Sequence, residues 1–329
     1  MKFSSIGYVL TVFLAATGLL AMAWGNIQAA DKIVRLGFLS GGAEPPQWRE
    51  RSVFLRTLKE LGWIEGQNLT TEARWADGQL ERLPELAAEF VRLKVDVIIA
   101  TALMPGQAAR AATSTIPIVL VTCDPHEWIV GSLARPEGNI TGQTCMSAET
   151  SPKRLEILHE IAPAAKRIAF LYNPAEPGPS LALKLSESAA AALGVTLVPV
   201  TLQAAAETDA ALAAIGSASV DAMFVYQDLV TFRVYPAIIE FANKKKLPSI
   251  YSFSEFADAG GLVSYGANNG DMLRGAARQV DKILKGSKPG DLPIEQPMQF
   301  ELVVNLKAAR ELGIDVSQSI LLQATRVIE

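Results

Sequence analysis

Histidine and cysteine are almost absent from this chain of 329 residues, with two of each. Two cysteines cannot build a four-thiolate zinc site or a disulfide scaffold. Two widely separated histidines, His126 and His159, leave little for imidazole-based metal chemistry. Charge is also scarce: 19% of residues are Asp, Glu, Lys or Arg, against about 25% in ordinary soluble domains. With 30 basic and 34 acidic residues, a net charge of −4 and no basic block, there is no electrostatic footprint for nucleic acid. The signatures G-x-G-x-x-G, G-x-x-x-x-G-K-[ST], H-E-x-x-H and G-x-S-x-G are all missing, which removes the commonest nucleotide, zinc-protease and hydrolase readings. No resident cofactor is expected.

Apolar residues are what the chain has in quantity, at 50%. That excludes disorder, because burial can offset chain entropy over most of the length. The length exceeds one hydrophobic core, so two domains are expected. Part of the apolar excess lies at the start. Lys2 is the only charge before Asp31, Ile6 to Trp24 is an uncharged apolar run, and Gln28-Ala29-Ala30 follows. This reads as a signal peptide over residues 1–30, cut near Ala29 or Ala30. An uncleaved anchor is the alternative, since about 19 apolar residues can just span a bilayer.

From Ile33 onward, short β-branched runs alternate with longer amphipathic ones. Strands are expected at 33–39, 68–74, 95–100 and 116–121, then at 167–171, 195–200, 222–226, 248–251 and 262–264. The intervening segments, such as 47–61 and 231–246, carry helical spacing. This rhythm means βαβ units and parallel sheets. The fold class is α/β, with two doubly wound parallel-sheet lobes and Arg135–Gly142 as the best candidate for a crossing strand.

In such sheets ligands bind beyond the carboxyl ends of the strands. The residues found there are Ser40-Gly41, Thr101-Ala102, Thr122 and Asp124 in the first half. In the second half they are Asn173, Tyr226-Gln227-Asp228 and Ser252-Phe253. Small hydroxyls and free amides at helix starts suit a carboxylate. Asp124 or Asp228 suits an ammonium, and Tyr226 or Phe253 suits an apolar body. Each polar residue could equally be an ordinary helix cap. Asp124-Pro125-His126-Glu127 is the one tight ionisable cluster, more simply solvated than catalytic. Cys123 and Cys145 could pair in an oxidising compartment. Nothing in the sequence fixes their separation, and two free buried thiols are the expectation.

Several blocks are familiar as they stand: Leu61-Gly62-Trp63-Ile64-Glu65-Gly66-Gln67-Asn68-Leu69, Ala112–Val119, Ser132–Gly142, Gly260–Gly266, and Ile283–Pro289 with Leu292–Pro297. Together they resemble the ABC-transporter substrate-binding family that includes tryptophan/tyrosine-type uptake proteins. The resemblance implies a type I periplasmic-binding-protein fold, with two lobes and a hinge that closes on ligand. It puts 31–146 plus about 269–311 in one lobe and 147–268 plus about 312–329 in the other. It implies delivery of a bound solute from the periplasm to an ABC permease with its ATPase but does not settle the ligand. The strand-end residues make that ligand a small carboxylate-bearing one, an amino acid or aromatic acid. The chain is expected to be a monomer and not an enzyme. A ligand-sensing role for a membrane receptor is the alternative. One departure stands out: after Asp124-Pro125 the family has a Gly-rich turn, where this chain has His126-Glu127-Trp128-Ile129-Val130.

Overall fold

A computed structural model describes residues 33–124, 132–136 and 138–329. The expected signal peptide lies outside the described residues, as do His126, Glu127 and Trp128. The chain begins β1 (Val34–Ser40), α1 (Trp48–Arg51), α2 (Val53–Glu60), β2 (Leu69–Trp75), α3 (Leu83–Leu93), β3 (Val97–Thr101), α4 (Leu103–Ala112), β4 (Ile118–Thr122) and β5 (Ile140–Thr144). It continues with α5 (Ser147–Ile161), β6 (Arg167–Tyr172), α6 (Pro177–Leu193), β7 (Thr196–Thr201), α7 (Thr208–Ser217), β8 (Ala222–Val225), α8 (Leu229–Lys244), β9 (Ser249–Tyr251), α9 (Ser254–Asp258) and β10 (Val263–Gly266). Then come α10 (Asn269–Leu284), β11 (Ile294–Glu295), β12 (Glu301–Asn305), α11 (Leu306–Leu312), α12 (Gln318–Gln323) and β13 (Arg326–Ile328).

The strands form two sheets, ordered β2-β1-β3-β4-β5-β11 and β7-β6-β8-β9-β10-β12-β13. All pairings in the first are parallel. In the second, only β12 runs antiparallel to its neighbour β10. The continuous β-branched runs are explained by burial on both faces, as in Val97–Ala100 and Ile118–Thr122. The chain passes between sheets after β5, after β10 and after β11.

Four expectations are corrected. Ile140–Thr144 is a full member of the first sheet, hydrogen-bonded between β4 and β11, so the crossing follows Thr144 and does not lie within Arg135–Gly142. The return to the second sheet comes between Glu295 and Glu301, so residues 301–311, assigned to the first lobe, pack with the second. The single helix expected over 47–61 is two helices, because the extended Ser52 caps α2, its Oγ accepting from Leu55 N at 3.3 Å. Cys123 and Cys145 form a disulfide. The register explains the last point: Thr122 and Thr144 are paired across β4 and β5, so the next residue on each strand is brought alongside its counterpart.

Two apolar clusters belong to one lobe each, one around Phe90 and Ile98 and one around Phe170 and Ile250. A third runs from Phe38, Trp48 and Val119 through Cys145 into Met223, Phe253 and Ala276. Apolar packing is therefore continuous between the lobes.

Candidate ligand-binding cleft

Strand order reverses between β1 and β3 in the first sheet and between β6 and β8 in the second. These switch points leave a crevice at the carboxyl ends of the strands, and the two crevices face each other. Leu229, at the start of α8, comes so close to the loop after β1 that a Cβ on Gly41 would lie 2.8 Å from its Cδ1. Arg233 Nη1 of α8 donates to Asp77 O at 2.8 Å. The lobes are closed on one another.

The first lobe presents mostly satisfied small groups. Ser40 Oγ accepts from Gly42 N at 3.3 Å, and Thr101 Oγ1 donates to Leu39 O at 3.4 Å. Thr122 is buried at the end of β4. Ala102 is held at φ 79°, ψ 168°, a region that only glycine enters freely. Sequence reasoning missed Trp75, which ends β2 in register with Ser40. Its ring packs on Phe38 and Trp48 at 5.4 Å, and its Nε1 is buried without a partner.

The second lobe is acidic. Asp228 caps α8, its Oδ1 accepting from Val230 N at 2.6 Å and Thr231 N at 2.9 Å, while Oδ2 is buried with no partner. Burial raises its pKa to about 6. Glu176, also missed, precedes α6 beyond the end of β6. Burial, with Asp228 and Asp124 nearby, pushes its carboxyl up to about 7. The sequence signal for it is an acid in the loop after a strand. Asn173 itself closes a local turn, Oδ1 accepting from Ala175 N at 3.0 Å.

Asp124 belongs to the first lobe but bonds only within the second. Oδ1 accepts from Ala148 N of α5 at 3.0 Å, and Oδ2 accepts from the Tyr226 hydroxyl. Burial raises the pKa of Asp124, and burial with the adjacent carboxylate raises that of the Tyr226 phenol. Gln227 Oε1 accepts from Ser147 Oγ at 2.9 Å, and Ser252 Oγ accepts from Arg154. Phe253 is buried in the core cluster, edge-on to Phe232 at 6.3 Å. Of the twelve residues singled out from sequence, Asp124 and Tyr226 are thus joined directly. Gln227 and Ser252 both meet Arg154, a third missed residue. No helix among the described residues is long and apolar enough to cross a membrane.

The family model described as ABC transporter substrate binding protein matches residues 43–328. The chain belongs to that family. A tyrosine-binding protein of Clostridioides difficile (strain R20291) is 26% identical over 263 residues, covering 79% of this chain and 75% of the relative. A conserved domain protein from Vibrio cholerae O1 biovar eltor superposes with a TM-score of 0.83 at 29% identity, covering 90% of this chain and 100% of that one. A Streptococcus pneumonia ABC domain solved with L-Trp gives a TM-score of 0.81 at 23% identity, covering 90% and 99%, and speaks to the fold alone. The fold is that of type I periplasmic binding proteins. In a substrate-binding protein of this family, the cleft between the two switch points is the place to look for ligand contacts. The depressions around Glu44–Glu50, where Trp48 is part of the lining, and around Pro199–Ala214 contain none of the buried titratable groups described above.

Proposed function

We propose that this chain is the exported, monomeric solute-binding component of an ABC uptake system and that it captures one aromatic α-amino acid between its lobes. One observation carries the ligand class. Among the buried polar atoms without a partner at the strand ends are two of opposite character, the Trp75 Nε1 donor in the first lobe and the Asp228 Oδ2 acceptor in the second. Buried polar groups are normally satisfied, and an α-amino acid supplies an acceptor in its carboxylate and a donor in its ammonium. Burial opposes the ionisation of Glu176 and Asp228, and a cation beside them would favour their charged forms. The tyrosine-binding relative supports an aromatic side chain, and Phe38, Trp48 and Trp75 supply apolar surface.

Capture precedes delivery to a permease with its ATPase, and the chain acts by binding, without turnover. Calorimetry with L-tyrosine, L-tryptophan and 3-phenylpropionate tests the reading. The amino acids are expected to bind and to be recovered unchanged, and the des-amino acid to bind far more weakly. Equal affinity for all three would overturn the ammonium assignment. Fractionation with N-terminal sequencing tests export, the expected product starting close to residue 31.

A further inference from the structure

Arg154 is fully buried on α5, yet no carboxylate among the described residues lies within ion-pair distance of it. Its guanidinium donates to Ser147 O, Ser147 Oγ (2.8 Å), Ser151 Oγ (2.9 Å), Thr150 Oγ1 (3.3 Å), Gln227 Oε1 (3.4 Å) and Ser252 Oγ. These acceptors are all neutral and all in the second lobe. A buried cation with no anion is costly. Two rings face the cation, Phe224 at 5.4 Å and Tyr226 at 5.6 Å from Arg154 Cζ, and behind Tyr226 lies Asp124, which accepts from its hydroxyl.

Asp124 is a first-lobe residue, carried at the end of β4 and tied to the crossing segment by the adjacent Cys123–Cys145 disulfide. Its two hydrogen-bond partners, Tyr226 and Ala148 N, both lie in the second lobe. Gly178 at the start of α6 makes room, since a Cβ there would lie 2.8 Å from Asp124 Cβ. We infer that Asp124, Tyr226 and Arg154 form an interlobe latch, in which Arg154 is a positioning residue whose buried charge draws the Asp124 carboxylate of the other lobe into place and so sets the balance between open and closed protein. This goes beyond the ligand reading, because none of the three needs to touch ligand.

The charges facing Asp124 define the chemistry. Arg154 of α5 attracts it, while Glu149 of α5 and Glu176 before α6 oppose its ionisation. When the lobes part, Asp124 returns to water and ionises freely. Closing at neutral pH then requires either the Arg154 charge or a proton on Asp124.

The test uses ligand-free protein, so it stands or falls independently of which amino acid binds. Spin labels on the outer surfaces of the two lobes, read by pulsed electron resonance, report the closed fraction. Tyr226→Phe is expected to reduce that fraction several-fold at pH 7.5, and Asp124→Asn, which is neutral but lacks the charge that Arg154 attracts, to reduce it less. Arg154→Met should reduce it more, with recovery as pH falls and Asp124 takes up a proton. Arg154→Lys should retain part of the closed population. In the double variant Arg154→Met/Asp124→Asn the pH response should vanish, and the two effects should not add. Unchanged distances in Tyr226→Phe and Asp124→Asn would overturn the latch, and so would strict additivity in the double variant. If Arg154→Met does not fold, the lysine and phenylalanine variants decide.

Discussion

The two lobes repeat one topology and end their strands in different chemistry. Both sheets reverse between an inner pair, β1/β3 and β6/β8. Beyond the first pair lie hydroxyls already bonded to backbone, one strained alanine and an aromatic cluster. Beyond the second lie Asp228 and Glu176, with Arg154 buried behind. Sheet topology therefore fixes where a cleft forms, while the residues just past each strand decide what the cleft recognises. The amino acid proposed as ligand would need two unlike ends held, for which two lobes of like fold with unlike loops are suited.

The comparison is broken most forcefully at Asp228. Asp228→Asn keeps Oδ1, hence the cap on α8, but removes the charge opposite the proposed ammonium. We expect binding of L-tyrosine or L-tryptophan to weaken by about 2–5 kcal/mol, the usual loss when one partner of a buried charged pair is removed. Thermal stability without ligand should hold or rise, because the carboxyl is held at about 6 by burial and its ionisation opposes folding. Calorimetry and a melting curve read the two effects separately, and unchanged affinity would remove Asp228 from the site.

The next largest effect is in the first lobe, whose strand ends are tied covalently. The disulfide spans a sequence separation of 22, and closing such a loop stabilises by about 3 kcal/mol in the chain-entropy account. Cys123→Ser with Cys145→Ser should lower the denaturant midpoint accordingly. A change under about 0.5 kcal/mol would show that β4 and β5 hold this corner without it.

Much of this architecture is legible in the sequence, and the misses share a cause. Val97–Ala100 and Ile118–Val121 announce themselves because strands buried on both faces must be β-branched and apolar. β11 does not: its two residues are strand only because they pair with Gly142 and Gln143. β12 lies between β10 and β13 in the sheet, a partnership that short-range pattern cannot supply. The disulfide is invisible for the same reason, being a consequence of register between two strands. Arg154 follows Ser-Pro-Lys and reads as a solvated helix face. Only the packing of α5 over β9 and β10 buries it. The strand-end rule singled out Asp124, Tyr226 and Asp228, but could not tell an acid with an unpartnered oxygen from one bonded across the lobes.

Trp75→Phe tests the first lobe's contribution. The ring stack with Phe38 and Trp48 is kept, while the unpartnered Nε1 donor is lost. Affinity for the amino acid should fall by about 1.5–3 kcal/mol if that N–H meets the ligand carboxylate. Stability without ligand should not fall, since a buried unsatisfied donor disappears.

pH sharpens the contrast by acting on the second lobe. Glu176 at about 7 and Asp228 at about 6 bind protons more tightly in the folded protein than in the unfolded chain. Their contribution therefore stabilises ligand-free protein as pH falls through 7 and 6, is complete near pH 4, and is lost above pH 7. Ligand binding should run the other way, roughly tenfold weaker at pH 5 than at pH 8 if one of the acids must ionise to meet the ammonium. Glu176→Gln should flatten the upper part of both curves. Parallel pH trends for stability and affinity would contradict the acid–ammonium pairing.

The smallest effect concerns backbone strain, which is also unevenly shared. Ala102, directly after β3, sits at φ 79°, whereas no residue from Tyr172 to Glu176 or from Tyr226 to Leu229 has positive φ. The conformation is maintained by its surroundings: Ala102 N donates to Val121 O at 2.7 Å, and Gly106 N donates back to Ala102 O at 3.3 Å. A non-glycine residue in this region costs about 1–3 kcal/mol, and glycine would relieve that cost while giving up about 0.4–1 kcal/mol through a freer unfolded chain. Ala102→Gly should therefore raise stability by about 1 kcal/mol. If the strain serves to aim the Thr101–Leu103 turn at the ligand, affinity should fall modestly in the same variant, with no change in the pH profile set by the second lobe. A variant that loses stability would mean that the methyl group is worth more in packing than the strain it imposes.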